Sequence, residues 1–587
     1  MQRRVWEDVP VDAEVVRDVA AALGVPVVVA RLLCQRGLQD PAEARRFLSP
    51  DLGQLHDPFL LAGMRPAVDR LLAAVAHGES IVVHGDYDVD GITATVILRR
   101  AIELIGGTVT HFVPDRHKDG YGLQPETVAR LRSEGARLIV SVDCGIRADE
   151  AAAHAHALGV DLIITDHHEP GPVLPPALAV INPKRADCTY PDKHLAGVGV
   201  ALKLVQALLA ASGKGLAALP HFVKVAAIGT MADVVPLVGE NRVIAHCGLT
   251  GLSAGPHAAG MEALLADCGL LGRQLDSFHI GFMVAPRLNA AGRMRSPDLS
   301  LDLLLLRGRD TETRLRAKEL ARQLSEENTG RQQQEAAILA DARHLIDGDP
   351  SIGAQNMLVV AGEGWHRGVI GIVASKLVDA YHKPALVLSI QDGVATGSAR
   401  SIRAFDLLAA LERCADLFLR FGGHKLAAGV TIDAGRIDEL RRRLSADANE
   451  RLGPDDLVPR LRIDAPLGLG DISGDVVQAL GRLGPFGAAN PKPVFRASPV
   501  DLAATPRRLK ERHLSLVFRQ GKRSFRAVAW RAAEREDYLT THRFGLELAY
   551  SLDESEYQGE RVTELTVADV RMPVEPIEAA APAGATA

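Results

Sequence analysis

The sequence predicts a mixed α/β fold in several bodies: a doubly wound parallel-sheet domain, a long connecting helix, a second α/β domain and a C-terminal β-barrel. Three observations predict it. Apolar β-rich runs alternate with helical patterns from Ser80 to Asn182, a charged, Ala/Leu-rich stretch free of proline runs from about Asp310 to Ile346, and short strands with turn residues begin near Leu461. With 587 residues the chain is too long for one core, because single cores stop growing at roughly 250 to 300 residues.

In the first region the apolar runs are Ile81–Val83, Val109–Val113, Leu138–Val142, Leu162–Thr165 and Leu178–Ile181. Runs of this kind separated by helices read as βαβ units, hence a parallel sheet. Ligands of such sheets bind beyond the carboxyl ends of the strands. The polar clusters fall there: His84 to Asp90 after the first run, Asp143 after the third, Asp166-His167-His168 after the fourth. Residues 198 to 290 read as mostly helical, with Asp233 closing the apolar run Val223 to Ala232. A helix from Asp310 to Ile346 would span roughly 55 Å and could serve as a strut between lobes, with Gly330 weakening its middle. A second α/β pattern follows Pro350, with Met357–Ala361, a helix over Val369 to Ala380, Pro384–Ser389 and a glycine-rich turn at Phe421-Gly-Gly-His-Lys425. The runs Leu514–Phe518, Ser524–Trp530 and Phe544–Tyr550 fit a small barrel of the OB kind.

Composition excludes several classes. Six cysteines without CxxC spacing argue against a zinc ribbon or a disulfide scaffold and fit a reducing cytoplasm. No apolar run approaches the ~18 residues of a membrane span, and the amino terminus lacks the apolar core of an export signal, so a soluble cytoplasmic protein is expected. The net charge of −6 does not itself suggest nucleic acid, but Arg507 to Arg531 holds nine lysines and arginines against Glu511 alone. Within that stretch Arg519, Lys522, Arg523 and Arg526 are the expected nucleic-acid track. Phe518, Phe525 and Trp530 interleave with it; singly, each is expected to fill the barrel core.

The chemistry is carried by His84-Gly-Asp-Tyr-Asp-Val-Asp-Gly91. So many like charges on one short segment conflict unless a cation is present, and Gly91 is expected to let the loop bend before a helix starting near Ile92. The ordinary alternative is an acidic loop that caps the next helix. Asp143 and Asp166-His167-His168 at the ends of neighbouring strands weigh against it, since independent acidic loops need not converge on one crevice. Mixed imidazole and carboxylate ligation suits Mn²⁺, with Mg²⁺ or Co²⁺ as alternatives. The number of ligands exceeds one ion's needs, so two divalent cations are expected, the arrangement of two-metal phosphoryl chemistry.

Taken together, these motifs resemble the DHH phosphoesterase superfamily, whose name-giving triplet is Asp166-His167-His168. Asp143-Cys-Gly145 is similar to its second motif and Gly229-Thr-Met-Ala-Asp-Val-Val-Pro236 to its fourth, with Asp233 as the carboxylate. Within the superfamily, Pro286–Met294, Gly364–Gly371, Gly397–Ser401 and Pro485–Pro491 resemble signatures of the RecJ exonuclease family. The resemblance implies one ion held by His84, Asp88 and Asp143 and the other by Asp90, Asp143, His167 and Asp233, with Asp143 bridging. Asp86 and Asp166 would orient ligands, and His168 would bond the scissile phosphate or protonate the leaving oxygen. Lys184 departs from the pattern, where asparagine is expected.

The resemblance further implies a DHH catalytic domain at 46–296 after an N-terminal segment 1–45, a helix region at 297–348, a DHH-associated substrate-binding domain at 349–456, an OB-like domain at 457–575 and a disordered tail at 576–587. Substrate phosphate would meet Arg287, Asn289, Arg293, His366, Arg400, Ser401, Arg403, Gly422, Gly423 and His424. The expected activity is hydrolysis of single-stranded DNA from the 5′ end to mononucleotides in repair and recombination, with a single-strand-binding protein and a helicase as candidate partners. Two alternatives stay open: a DHH phosphodiesterase acting on short oligoribonucleotides or cyclic dinucleotides, and a non-catalytic replication scaffold.

Overall fold

Alternation of buried side chains fixes the first sheet. Ile81 and Val83 enter one apolar core while Val82 enters another, and Leu138, Val140 and Val142 likewise oppose Ile139. A strand buried on both faces in this way needs helices on both sides. In the computed structural model of the chain, which describes residues 4–115, 122–294, 296–557 and 560–573, those strands are β1 (Ser80–His84), β2 (Thr108–Phe112), β3 (Leu138–Val142), β4 (Asp161–Thr165) and β5 (Ala179–Ile181). They lie in the order β2-β1-β3-β4-β5, all parallel. The order reverses between β1 and β3, which is where a doubly wound sheet opens its binding crevice.

Residues Pro50–Leu457 and Pro485–Asn490 make up one compact unit. Besides the first sheet it contains helices α1 (Val89–Leu104), α2 (Gly197–Ala211), α3 (Leu219–Ala232) and α4 (Ala285–Met294). The 38-residue α5 (Thr311–Gly348) follows, about 57 Å long. Its buried positions recur every three or four residues. Ala317, Leu320, Ala321 and Leu324 join the core of the first sheet, and Ile338, Ala342 and Ile346 join that of a second. The helix runs through Gly330 unbroken, with tertiary packing on either side of that residue of low propensity.

The second sheet is mixed. β6 (Leu358–Glu363) and β7 (Ala385–Gln391) are parallel, and β8 (Val394–Arg400), β9 (Phe418–His424) and β10 (Ala427–Asp433) add antiparallel pairings in the order β9-β10-β8-β7-β6.

The other unit joins Met1–Ser49 to Val458–Gly484 and Pro491–Ala587. Val5–Asp8 pairs in parallel with Arg460–Ile463. Strands β11 (Phe495–Leu502), β12 (His513–Gln520), β13 (Arg523–Ala529), β14 (Leu546–Tyr557) and β15 (Glu560–Arg571) close a five-stranded barrel, the last seam being Leu502 against Phe518. The tail expected at 576–587 lies outside the described residues. Phe518 is buried in the barrel and Phe525 half-buried, whereas Trp530 is 58% exposed, contrary to the expected core position. It follows the last residue of β13, where alternation no longer constrains it.

Helix α2 is tied into the first unit by a buried ion pair. Lys203 Nζ donates to Glu240 Oε1 at 3.0 Å and to the carbonyl of His56 at 2.6 Å, while Tyr190 OH bonds the other carboxylate oxygen. Lys203→Met strands that carboxylate, so we expect a loss of about 3–5 kcal/mol, read as a lower urea midpoint, and substantial recovery in Lys203→Met/Glu240→Leu. Equal midpoints for wild type and the single variant would contradict it.

Candidate metal centre

Three short turns leave the carboxyl ends of β1, β3 and β4, and a fourth leaves α3. Asp88 is the N-cap of α1, its carboxylate accepting from Gly91 N at 3.1 Å. The capping expected of an ordinary acidic loop is therefore real, but it occupies one carboxylate of the set. The helix begins at Val89 rather than near Ile92, which places Gly91 inside its first turn. A Cβ there would come within 2.5–2.7 Å of the Asp86 backbone, so glycine serves close approach and not a bend. Asp143 follows β3 with φ at +61°, a left-handed backbone for a non-glycine residue, and is almost completely buried.

Asp90 is buried at the amino terminus of α2, where Gly197 N and Val198 N each donate to its carboxylate at 2.7 Å. The positive end of that helix favours the charge. A Cβ on Gly197 would sit 2.3 Å from Asp143 Oδ1, so glycine alone lets the helix end approach both carboxylates. His167 Nε2 stands 3.3 Å from Asp143 Oδ1, 3.6 Å from Asp233 Oδ2 and 3.9 Å from Asp90 Oδ2. Asp166 accepts from Ile146 N, from His167 N and from His168 Nδ1, the last at 2.7 Å, which directs Nε2 of His168 away from it.

Potential ligand atoms gather in three overlapping sets within 4.8 Å: Asp86, Asp88 and Asp143; Asp90, His167 and Asp233; Asp143, His167 and His168. Asp143 belongs to two of them. Asp86, expected to orient ligands, stands in one set with Asp88 and Asp143, and His84 is in none of the three. The His84 ring is fully buried and tilted against Phe112, with Nδ1 3.6 Å from Cys144 Sγ.

Burial and mutual repulsion dominate the electrostatics. Burial, then the charge of Asp88, pushes both Asp86 and Asp233 up to about 7. Burial and neighbouring carboxylates also raise Asp90 and Asp143. Burial and the neighbouring His168 push His167 down to about 4. Asp166 behaves oppositely: burial opposes its charge, but the His168 hydrogen bond holds its carboxyl below the usual range. Among the described residues, buried Asp143 Oδ1 accepts no hydrogen bond. Neutral imidazole, crowded carboxylates and an orphaned carboxylate oxygen fit hard divalent cations.

The other expected site residues fall into two groups. Arg287 is held by Met283 O, Ser325 Oγ and Asp267, so it braces α4 against α5 rather than standing open. Asn289 Oδ1 accepts from Val89 N in the acidic turn, and Arg293 Nη1 donates to Gly368 O, whose N–H is bonded to His366 Nδ1. In the second sheet His424, Ala427 and Arg400 are in register across β9, β10 and β8, so one end of the sheet gathers Arg400, Ser401 and His424, with Arg403 in the loop beyond. Gly422 and Gly423 form no turn as expected. They lie exposed on the edge strand β9, opposite Gly429 and Ala428 of β10.

In the barrel unit Arg519, Lys522, Arg523 and Arg526 flank the β12–β13 turn. Arg523, Phe525 and Arg526 line a cleft of about 710 Å³ with Ser473, Val477 and Val562. Sequence reading missed Gly197, Val198 and Asn182, whose Nδ2 donates to His168 O. The glycines of Ala196-Gly-Val-Gly199 opening an apolar helix were the available signal. Lys184, the departure from the family pattern, pairs with Glu169 at 3.0 Å.

A parallel sheet with clustered carboxylates and imidazoles at its carboxyl edge, a second α/β lobe and an OB barrel define a DHH-type phosphoesterase. Residues 80–230 match the DHH family, N-terminal domain, 354–450 the DHHA1 domain and 463–569 the RecJ OB domain. The chain is 36% identical over 561 residues to the single-stranded-DNA-specific exonuclease RecJ of Dickeya dadantii, covering 92% of this chain and 95% of that one. It is 40% identical over 491 residues to the Bacillus subtilis RecJ, covering 83% of this chain but 61% of that protein's length. The crystal structure of Thermus thermophilus RecJ with Mn²⁺ superposes with a TM-score of 0.81 at 32% identity, over 97% of this chain and 80% of that one. The chain belongs to the RecJ family. Among the described residues no helix is long and apolar enough to cross a membrane.

The raised carboxyls give a pH dependence. Native Asp86 and Asp233 keep protons up to about pH 7 that the unfolded chain releases near 4. Without metal, stability therefore falls as pH rises between those values. Metal must displace the same protons, so we expect Mn²⁺ to bind roughly tenfold more weakly per unit below pH 7 for each carboxyl titrated, with proton release in calorimetry. Affinity independent of pH between 6 and 8, without proton release, would contradict this.

Proposed function

We propose that this chain is a single-strand-specific DNA exonuclease that hydrolyses phosphodiesters with two divalent cations, Mn²⁺ preferred over Mg²⁺, and works from the 5′ end to release mononucleotides. The observation that carries the reading is the convergence of Asp86, Asp88, Asp90, Asp143, Asp233 and His167 on one small volume at the sheet edge. Relatives named as single-stranded-DNA-specific exonucleases support the substrate, and family structures containing Mn²⁺ or Mg²⁺ support the cofactor.

Asp86, Asp88 and Asp143 would hold one cation and Asp90, His167, Asp233 and Asp143 the other, with His84 completing the first set through its ring. When bound, such ions stabilise charge on phosphate oxygens and acidify a coordinated water near neutral pH. Around them the chain's own groups orient and protonate. Asp166 grips Nδ1 of His168, so Nε2 can donate to a phosphate oxygen, and this pair keeps its proton because burial is outweighed by the carboxylate contact. The half-exposed imidazole is thereby suited to meet the leaving oxygen.

Arg400, Ser401, Arg403, Gly422, Gly423 and His424 would read the terminal phosphate: a guanidinium supplies a bidentate fork, and exposed glycine backbone admits close approach. Arg519, Lys522, Arg523 and Arg526 would follow the phosphate chain, with Phe525 offering a ring beside them. A C-terminal barrel in addition to the two lobes favours a long polymer over a dinucleotide, and the complete ligand set disfavours a scaffold without activity. A cytoplasmic role in repair and recombination, fed by a helicase and a single-strand-binding protein, follows from this reading.

The test is time-resolved product analysis on single strands labelled at either end. The 5′ label should appear at once as mononucleotide while the 3′ label shortens progressively, and Asp143→Ala should abolish both while retaining most strand binding. Preference for dinucleotides, release from the 3′ end, or cleavage by Asp143→Ala at the wild-type rate would overturn the reading.

A further inference from the structure

Phe278 and Phe282 are 58% and 71% exposed, and their rings stack with centroids 4.9 Å apart at 24°. Isolated exposed apolar side chains are ordinary; two rings held parallel at the surface are an aromatic platform. Its cause lies in the sequence. Pro286 has no N–H for the carbonyl of Phe282, four residues back, and its ring crowds that carbonyl. The backbone before it widens into a π-turn over Ile280–Val284, with Ala285 N bonded to Ile280 O. Ile280 and Val284 are buried in that turn, which leaves Phe282 pointing outward. Short π-turns of this sort are rare and concentrate at functional sites.

The platform is joined to the metal centre on two sides. The π-turn packs on α3, the helix that ends where Asp233 begins. It also runs straight into α4, where Pro286, Arg287, Asn289, Arg293 and Met294 are the positions not buried, and Pro286, Asn289 and Arg293 among them recur at helical spacing along one side. On that face Asn289 bonds the acidic turn through Val89 N. Seven residues separate Phe282 from Asn289, about 10 Å along a helix axis. Aromatic rings about two helical turns from a residue bonded to the acidic turn are placed to receive bases of a strand that reaches that turn, and stacking tolerates any base.

We propose that Phe278 and Phe282 form a stacking subsite for a base of single-stranded DNA outside the nucleotide being cleaved. The proposal deepens the exonuclease reading and rests on it. A protein partner could also cover exposed phenylalanines, but a ring pair on the face that leads to the acidic turn favours the strand.

The test compares Phe278→Leu/Phe282→Leu, which keeps apolar bulk but removes the flat rings, with wild type in the full chain. Binding is measured to poly-dT and to the same strand with abasic sites. Mn²⁺ affinity should be unchanged, poly-dT affinity should fall roughly tenfold, and the difference should vanish on the abasic strand. In a separate Phe282→Trp protein, indole emission should be quenched by poly-dT and not by the abasic strand. Unchanged poly-dT affinity, an equal loss on both strands as lost apolar contact or a protein-docking role would give, or an unquenched indole would overturn the subsite. Wild type that fails to bind poly-dT at all would instead overturn the exonuclease reading beneath it.

Discussion

Carboxylates of Asp86, Asp90, Asp143 and Asp233, largely removed from water beside Asp88, cannot all be ionised without a neighbouring positive charge. Burial and like charge lift each of the four toward its neutral form. The surrounding architecture supplies only part of the compensation. The start of α2 gives two N–H groups to Asp90, and Asp143 is left with a buried oxygen that accepts nothing among the described residues. A protein does not keep such an arrangement for stability, since uncompensated buried charge costs several kcal/mol. The cluster makes physical sense as a cradle whose remaining charge is balanced by cations.

The rest of the first unit can be understood as holding that cradle still. The strand-order reversal between β1 and β3 separates the helices that follow them, and the Asp143 turn enters the resulting crevice in a left-handed backbone conformation. Gly197 admits the helix end to the carboxylates, and the Lys203–Glu240–Tyr190 network fixes that helix from behind. α5 contributes its first half to one core and its second half to another. The bonds from Asn289 to Val89 and from Arg293 to Gly368 tie α4 to the acidic turn and to the second lobe. Small displacements of α4 would therefore be felt at both places.

Much of this was legible in the sequence because the signals are periodic or chemically unusual. Strands buried on both faces read as continuous apolar runs, α5 as a long stretch without proline, and the acidic turns as charge where apolar runs end. What was not legible depended on contacts between distant segments. Gly91 looked like a hinge, although its role is to let Asp86 backbone lie against α1. Gly422 and Gly423 looked like a turn because their strand partner, β10, is recognisable only once the sheet is assembled. Gly197 was hidden because backbone N–H groups at a helix start carry no residue-specific signature.

In the proposed centre Asp143 sits between two cations. Its most direct test is the anomalous scattering of Mn²⁺ in crystals of the full chain. Two peaks should flank the Asp143 carboxylate, one on the side of Asp86 and Asp88 and one on the side of Asp90, His167 and Asp233, both weakened in Asp143→Asn. A single peak, or peaks away from Asp143 that persist in the variant, would contradict it.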